Sequence, residues 1–304
     1  MVRCFALIGF LACSLVGQAG QLFSQETQDS RMTLVCSTTQ VADFARQIVG
    51  DRMRVLCVLG PGQDPHLYEL KPGDSRMVAQ ADLCLENGWH LEGNNWMQSL
   101  ARDAAKPIVT CVTGIKPYFL KEGEVEVHDP HAWFSPKNAA VYVRNILKGV
   151  VQIDPSNQDE YRARAELYLA ELATLNAWIR RQVNKVPPQQ RQLITSHDAF
   201  NYFCNEYKFT ASAPAGWSTG DELGAGVTAA RRQQAVNSIR EFGVKAIFVE
   251  TSVNPDLIQQ IARDAGVRIG GTLYSDSMGA PGTAGESYLG MMRENVISIV
   301  NGLK

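Results

Sequence analysis

Short apolar runs rich in β-branched residues recur along the chain, and amphipathic segments of about 10–15 residues separate them. Examples of these runs are "MTLVCST" at 32–38, "MRVLCVLG" at 53–60 and "VKAIFVE" at 244–250. Such alternation is typical of βαβ units, in which each helix returns the chain to start the next parallel strand. The chain is therefore predicted to be an α/β protein with mostly parallel sheets flanked by helices.

One long helical pattern interrupts this alternation at 156–186 and ends at Pro187-Pro188. At 1.5 Å per residue, about 30 residues would form a rod of roughly 45 Å, longer than a small domain. Since βαβ alternation resumes beyond it, we predict a rigid connecting helix between two lobes. The expected domains are an N-terminal α/β lobe at 20–155, the helix at 156–186 and a C-terminal α/β lobe at 187–304.

The N-terminal residues are typical of a secretory signal. Arg3 precedes the apolar run "CFALIGFLACSLVG", and polar sequence follows. This order of regions predicts a signal peptide at 1–19, cleaved near Ala19, and export to the periplasm. Two alternatives are a buried first strand or helix, and a lipid anchor on Cys13, since "FLAC" resembles a lipobox. The apolar run is too short for a permanent membrane span.

Charge and cysteine content exclude several other classes. The formal net charge is −2, without the clustered basic surface that nucleic-acid binding requires. The cysteines after the signal are odd in number and read as small buried hydrophobes rather than as a disulfide framework; they are Cys36, Cys57, Cys84, Cys111 and Cys204. We expect a monomer.

The tripeptide Asp-Pro-His occurs twice, at 64–66 and 129–131, in a chain with only five histidines. His66 lies just beyond a predicted strand, and His131 lies in the loop before a helix. His197 ends the predicted strand "RQLITSH", and Asp276 follows "VRIGGTLYS". Ligands of parallel α/β sheets bind beyond the carboxyl ends of the strands. The four residues are therefore expected to meet in a cleft between the lobes.

Three imidazoles and one carboxylate form a ligand set for a first-row transition metal. Zn²⁺ accepts such nitrogen and oxygen donors, and the same set suits Mn²⁺ or Fe²⁺. Proline restricts both its own φ and the preceding residue, which stiffens the approach to each histidine. Asp64 or Asp129 could accept a hydrogen bond from an imidazole N–H. Against this stands the common case in which a loop histidine is only a surface residue.

Three further residues are not assigned as metal ligands and are interpreted differently. His128 is expected to be solvated, with a role as accessory ligand as its alternative. His90 follows an Asn-Gly turn and is expected to pack or to form a hydrogen bond. Glu250 ends a strand at the same sheet edge and could support a metal ligand, act as a general base, or cap the structure.

With these residues assembled, the chain resembles the metal-binding solute-binding proteins of ABC importers, the TroA-like group. The resemblance rests on "GPGQDPHLYELKPGD", "DPHAWFSP", "ITSHDAFNYF", "VETSVNP" and "LYSDSMGAPGTAGESYLGMM". It implies two α/β lobes bridged by a long helix, and a protein that is not an enzyme. The implied partners are a membrane permease and its cytoplasmic ATPase. The implied metal ligands are His66, His131, His197 and Asp276.

Two departures from the family pattern bear on the metal. Manganese-selective members are associated with a glutamate at the third ligand position, whereas this chain has His197, which indicates zinc or mixed zinc and manganese binding. Dedicated zinc scavengers often carry a long His-rich loop before the second histidine. Here that loop is the short "KPYFLKEGEVEVHDPH", which weakens the case for zinc, and iron is a third candidate.

Two other functions compete with metal capture. A metallohydrolase would use the same ion with Glu250 as base, but a catalytic site keeps a coordination position open for water. A binding protein for a metal chelate, such as a siderophore or corrinoid, would need a wide aromatic cleft on the same scaffold. The sequence favours the receptor for a free ion.

Overall fold

A computed structural model describes residues 30–122, 125–212, 228–244, 246–252 and 255–304. The predicted signal peptide at 1–19, with Cys13 and Ala19, lies outside the described residues. The expected alternation is present in the first part of the chain. Its strands are β1 (Thr33–Cys36), β2 (Arg54–Cys57), β3 (Leu83–Glu86) and β4 (Ile108–Thr110), and its helices are α1 (Thr39–Val49), α2 (Pro72–Ala79) and α3 (Trp96–Asp103).

These four strands form one parallel sheet in the order β2-β1-β3-β4. All of β1 and β3 is buried, as expected for central strands covered on both faces. Helix α1 packs against β1 and β2, and its Phe44 and Ile48 are fully buried. The carboxyl ends of β1, β2 and β3 therefore meet at one edge.

A hairpin that the sequence did not predict follows this sheet. Strands β5 (Phe119–Glu122) and β6 (Val125–His128) pair antiparallel, with Phe119 opposite His128. Polar and apolar residues alternate in β6, whereas β5 begins with two apolar residues and ends with two charged ones. The hairpin brings the chain to His131.

Helices α4 (Pro136–Ile153) and α5 (Gln158–Val183) come next. The 26 residues of α5 correspond to about 39 Å, within the predicted range of 156–186. Its buried residues recur every three or four positions, and they pack against α1 and α4 of the first lobe and a C-terminal helix. It connects the lobes as predicted, while the lobe boundaries at 155 and 187 stay predictions.

The C-terminal part contains β7 (Gln192–Ile194), α6 (Asn201–Tyr207), β8 (Thr210–Ser212), α7 (Ala229–Glu241), β9 (Ala246–Glu250), α8 (Pro255–Ala265), β10 (Arg268–Leu273) and α9 (Tyr288–Leu303). Strands β7 and β8 pair in parallel, as do β9 and β10. Strand β8 is short, and it pairs with β7 over only three residues. Among the described residues, no helix is both long and apolar enough to cross a membrane.

Candidate metal centre

The structure brings the four predicted side chains together. One potential ligand atom from each of His66, His131, His197 and Asp276 lies within 4.8 Å of the others. His66 follows β2, His197 follows β7 and Asp276 follows β10, so these three obey the rule for strand ends. His131 instead follows the antiparallel strand β6 and precedes a short 3-10 helix.

Three distances between potential donor atoms can be compared with those around a small tetrahedral ion. His66 Nε2 and His131 Nε2 are 3.3 Å apart. Asp276 directs Oδ1 to His131 Nε2 and Oδ2 to His197 Nε2, at 3.4 Å each. A tetrahedron with metal–ligand bonds of about 2.0–2.1 Å has edges of about 3.3–3.4 Å. The His66–His131 distance equals one such edge, and because one donor atom of each of the four residues lies within 4.8 Å of the others, a first-row divalent ion would need to draw some of them closer.

Burying these polar atoms is energetically unfavourable unless each of them has a bonding partner. His131, His197 and Asp276 are buried, and His66 is half-buried. Within the described residues, neither His197 Nε2 nor Asp276 Oδ1 has a hydrogen-bond partner. Such atoms are rare in native interiors because each loses its hydration without compensation. A bound cation would satisfy both.

The two Asp-Pro-His tripeptides share a turn but differ at the imidazole. Asp64 Oδ1 accepts a hydrogen bond from His66 N at 2.8 Å, and Asp129 Oδ1 accepts one from His131 N at 3.0 Å. Asp129 Oδ1 also lies 2.8 Å from His131 Nδ1, a contact that holds the tautomer with Nε2 free to face the centre. The expected carboxylate–imidazole contact is therefore present at Asp129, whereas Asp64 binds the backbone of its histidine.

Glu250 supports the third histidine from behind. Its Oε2 lies 2.6 Å from His197 Nδ1, and its Oε1 accepts a hydrogen bond from His197 N at 3.0 Å. Glu250 is buried, and Nδ1 is the ring nitrogen that does not face Asp276. Of the roles left open by the sequence, this geometry favours the supporting carboxylate.

The loop that carries Asp276 is bound to the N-terminal lobe. Gln40 Nε2 donates to Ser275 O at 3.0 Å, and Thr39 Oγ1 accepts from Met278 N at 2.9 Å. Ser252 Oγ donates to Asp276 Oδ2 at 3.3 Å. Sequence reasoning missed Thr39, Gln40 and Ser252. Each of their contacts joins segments that are far apart in the chain, and no local pattern identifies them.

The pKa values reflect the balance between burial and neighbouring charge. Burial lowers the pKa of His66 to about 3. Burial also opposes the charged form of His131, but the nearby carboxylates of Asp129 and Asp276 outweigh it and raise the pKa to about 9. Burial likewise opposes ionisation of Asp276, yet His197 and His131 hold the pKa of that carboxyl well below its usual range. An ionised carboxylate thus lies at the centre.

Neither remaining histidine of the N-terminal lobe joins this group. His128 was expected to be solvated, but it is half-buried between the rings of Trp89 and Phe119, at centroid distances of 5.5 and 5.1 Å. His90 was expected to pack or to form a hydrogen bond. Its backbone instead has a φ of 63°, and its side chain is exposed in a tight turn.

Fold and site together define a two-lobed α/β solute-binding protein with a bridging helix. The family model described as "ZnuA: Zinc-uptake complex component A periplasmic" matches residues 34–302, and the chain belongs to this family. The predicted membership of the metal-binding solute-binding proteins of ABC importers is confirmed, as is the predicted fold class.

The similarity to known relatives and to solved structures extends over nearly the whole chain. The manganese-binding lipoprotein MntA of Bacillus subtilis is 34% identical over 306 residues, covering 98% of both proteins. The metal ABC transporter substrate-binding lipoprotein SloC of Streptococcus mutans is 30% identical, covering 100% of this chain and 97% of its own. The periplasmic zinc-binding protein TroA of Treponema pallidum has a TM-score of 0.81 and 30% identity, covering 90% of this chain and 99% of its own.

Proposed function

We propose that this chain captures a divalent transition metal outside the cytoplasm and delivers it to an ABC permease driven by a cytoplasmic ATPase. The ion is held by His66, His131, His197 and Asp276. The observation that carries the proposal is the convergence of four donor atoms from both lobes within 4.8 Å. The named metals of the relatives, manganese for MntA and zinc for TroA, support it.

The donor distances favour zinc as the ion bound most tightly. The 3.3 Å between His66 Nε2 and His131 Nε2 suits the short bonds of Zn²⁺ to imidazole. Mn²⁺ and Fe²⁺ are the competitors, because ligand type alone separates these metals poorly. Competition among Zn²⁺, Mn²⁺ and Fe²⁺ on chelated protein, followed by elemental analysis, would rank them.

A binding role also explains Glu250 better than catalysis does. The carboxylate that would serve a metallohydrolase as general base is engaged with the ring and backbone of His197. The compact donor set also fits one ion better than a chelate such as a siderophore or corrinoid. We therefore infer that the chain acts as a receptor and not as an enzyme.

The ligand assignment is tested by His197→Ala. Removing this imidazole leaves three donors, and we expect at least a hundredfold weaker zinc binding with the fold retained. Zinc affinity would be measured by competition with a chromophoric chelator, and folding by circular dichroism. Wild-type affinity in this variant would refute the assignment.

The mode of attachment to the cell is a separate question. Relatives such as MntA and SloC are named lipoproteins, which supports the alternative of a lipid on Cys13. Mass spectrometry of the mature N terminus separates the two proposals. A chain beginning near residue 20 means cleavage and release into the periplasm, whereas diacylated Cys13 means membrane anchoring.

A further inference from the structure

Both Asp-Pro-His tripeptides are bound by one short stretch of chain, the connection between β3 and α3. Trp96 Nε1 donates a hydrogen bond to Pro65 O at 3.1 Å. Asn87 Nδ2 donates to Pro130 O at 3.0 Å. Asn87 directly follows β3 and Trp96 begins α3. We call these two residues the proline clamp.

The hydrogen bonds fix the peptide plane that leads into each histidine. Each proline is buried, and its carbonyl is the only polar group of its backbone, since proline has no N–H. The neighbouring histidine N–H in the same plane donates to an aspartate, Asp64 or Asp129. A planar peptide unit that is bonded at both its oxygen and its nitrogen cannot rotate freely. Both histidines are thus held from the backbone side.

The clamp is itself rigidly supported. Asn87 is 1% exposed and Trp96 is 5% exposed. Asn87 Oδ1 accepts a hydrogen bond from Tyr142 OH at 2.5 Å, and Asn87 N donates to Glu92 at 2.6 Å. The indole of Trp96 packs against Tyr68 at a centroid distance of 5.4 Å. The two donors therefore have fixed positions relative to each other.

We propose that Asn87 and Trp96 are positioning residues that set the separation of the His66 and His131 imidazoles and thereby the preference for zinc over manganese. This rests on the proposed function of the four-residue centre. The position of His66 depends most on the hydrogen bond from Trp96. Asp129 contacts the ring of His131, whereas no carboxylate of the described residues supports the ring of His66 in that way. The 3.3 Å between the two Nε2 atoms is the edge that short zinc–nitrogen bonds require.

Loosening the clamp should affect the two metals unequally. Zinc binding depends on a pair of imidazoles at the right distance, whereas Mn²⁺ favours carboxylate, carbonyl and water oxygens. A wider imidazole pair therefore costs zinc affinity more than manganese affinity. This difference separates a positioning role from general loss of structure, which would weaken both metals together.

The test compares Trp96→Phe with Trp178→Phe in chelated full-length mature protein. Trp96→Phe keeps an aromatic ring against Tyr68 and removes the N–H that holds Pro65. Trp178 is half-buried on the connecting helix, so its variant controls for loss of a tryptophan. For His131, Asn87→Asp keeps the oxygen that accepts from Tyr142 and removes the donor to Pro130.

For Trp96→Phe and Asn87→Asp we expect zinc affinity to fall about 10- to 100-fold, as for other residues that orient metal ligands. Manganese affinity should fall less, so the zinc-to-manganese ratio decreases. The visible absorption spectrum of the Co²⁺-loaded variants should differ from that of the wild type, since it reports the coordination geometry. Trp178→Phe should match the wild type in all three measurements.

The inference is overturned if Trp96→Phe retains the wild-type zinc-to-manganese ratio and Co²⁺ spectrum while the wild type binds metal. Failure of the wild type itself to bind either metal would refute the proposed function instead. If Asn87→Asp does not fold, as judged by thermal unfolding without metal, the Trp96→Phe result alone decides.

Discussion

Replacing Gly93 with alanine should displace His66 and weaken metal binding. Gly93 has a φ of +48°, and a Cβ added there would lie 2.6 Å from the carbonyl oxygen of His66. That oxygen belongs to the backbone, so no side-chain rotation relieves the contact. The substitution therefore acts on the position of a proposed ligand without touching the ligand's chemistry.

The size of the effect follows from two separate contributions. The positive φ costs an alanine roughly 1–2 kcal/mol of stability. The clash requires a shift of about 0.8 Å, from 2.6 Å to the 3.4 Å at which ordinary contact begins. Ligand positions must be held within about 0.5 Å for full affinity. We therefore expect at least a tenfold loss of zinc affinity, equivalent to about 1.4 kcal/mol.

Gly114→Ala is the matched control. Gly114 has a φ of +87° and nothing within 4 Å of an added Cβ, so this variant carries the backbone strain without the clash. Zinc affinity of both chelated variants would be measured by competition titration, and their stability by denaturant unfolding without metal. Both should lose stability, but only Gly93→Ala should lose affinity. Equal zinc affinity in the two variants would show that the reasoning about His66 is wrong.

Two further predictions concern protons. Because the pKa of His131 is about 9, a proton competes with the metal at neutral pH, and zinc affinity should rise with pH up to about 9. Asp129→Asn should flatten this rise and weaken zinc binding about 10- to 100-fold, which titrations at pH 6, 7 and 8 would measure; an unchanged slope would contradict the role of Asp129. Burial raises the pKa of Glu92 from 4.5 to about 7, so its neutral form stabilises the fold below pH 4.5 and that contribution is lost as pH rises to 7. Unfolding of Glu92→Gln should therefore depend less on pH than wild-type unfolding, by on the order of 3 kcal/mol between pH 5 and 8; parallel curves would refute this.

The main elements could be predicted because their signals are local. Runs such as "TLVC" combine apolar and β-branched residues, and they form β1 and other buried strands. The hairpin β5–β6 and the short strand β8 could not be found in this way. Their residues are few and mixed in polarity, and their pairing depends on partners supplied by the fold.

The sequence indicated the four candidate donor residues of the site but not the contacts that orient them. The strand-end rule located His66, His197 and Asp276, and the repeated tripeptide pointed to His131. The hydrogen bond from Gln40 to Ser275 joins residues 235 positions apart, and nothing in either local sequence indicates it. The contacts that orient the donors therefore required the structure.

The buried cysteines affect how a thiophilic metal can bind here. Burial raises the pKa of Cys57 to about 12 and that of Cys84 to about 11, and it raises those of Cys36, Cys111 and Cys204 as well. Only a thiolate competes well for a soft ion or reacts with an oxidant. These five sulfur atoms consequently stay protonated and inert. These cysteines therefore form no metal–sulfur bonds that would slow the release of a bound cation to the next carrier.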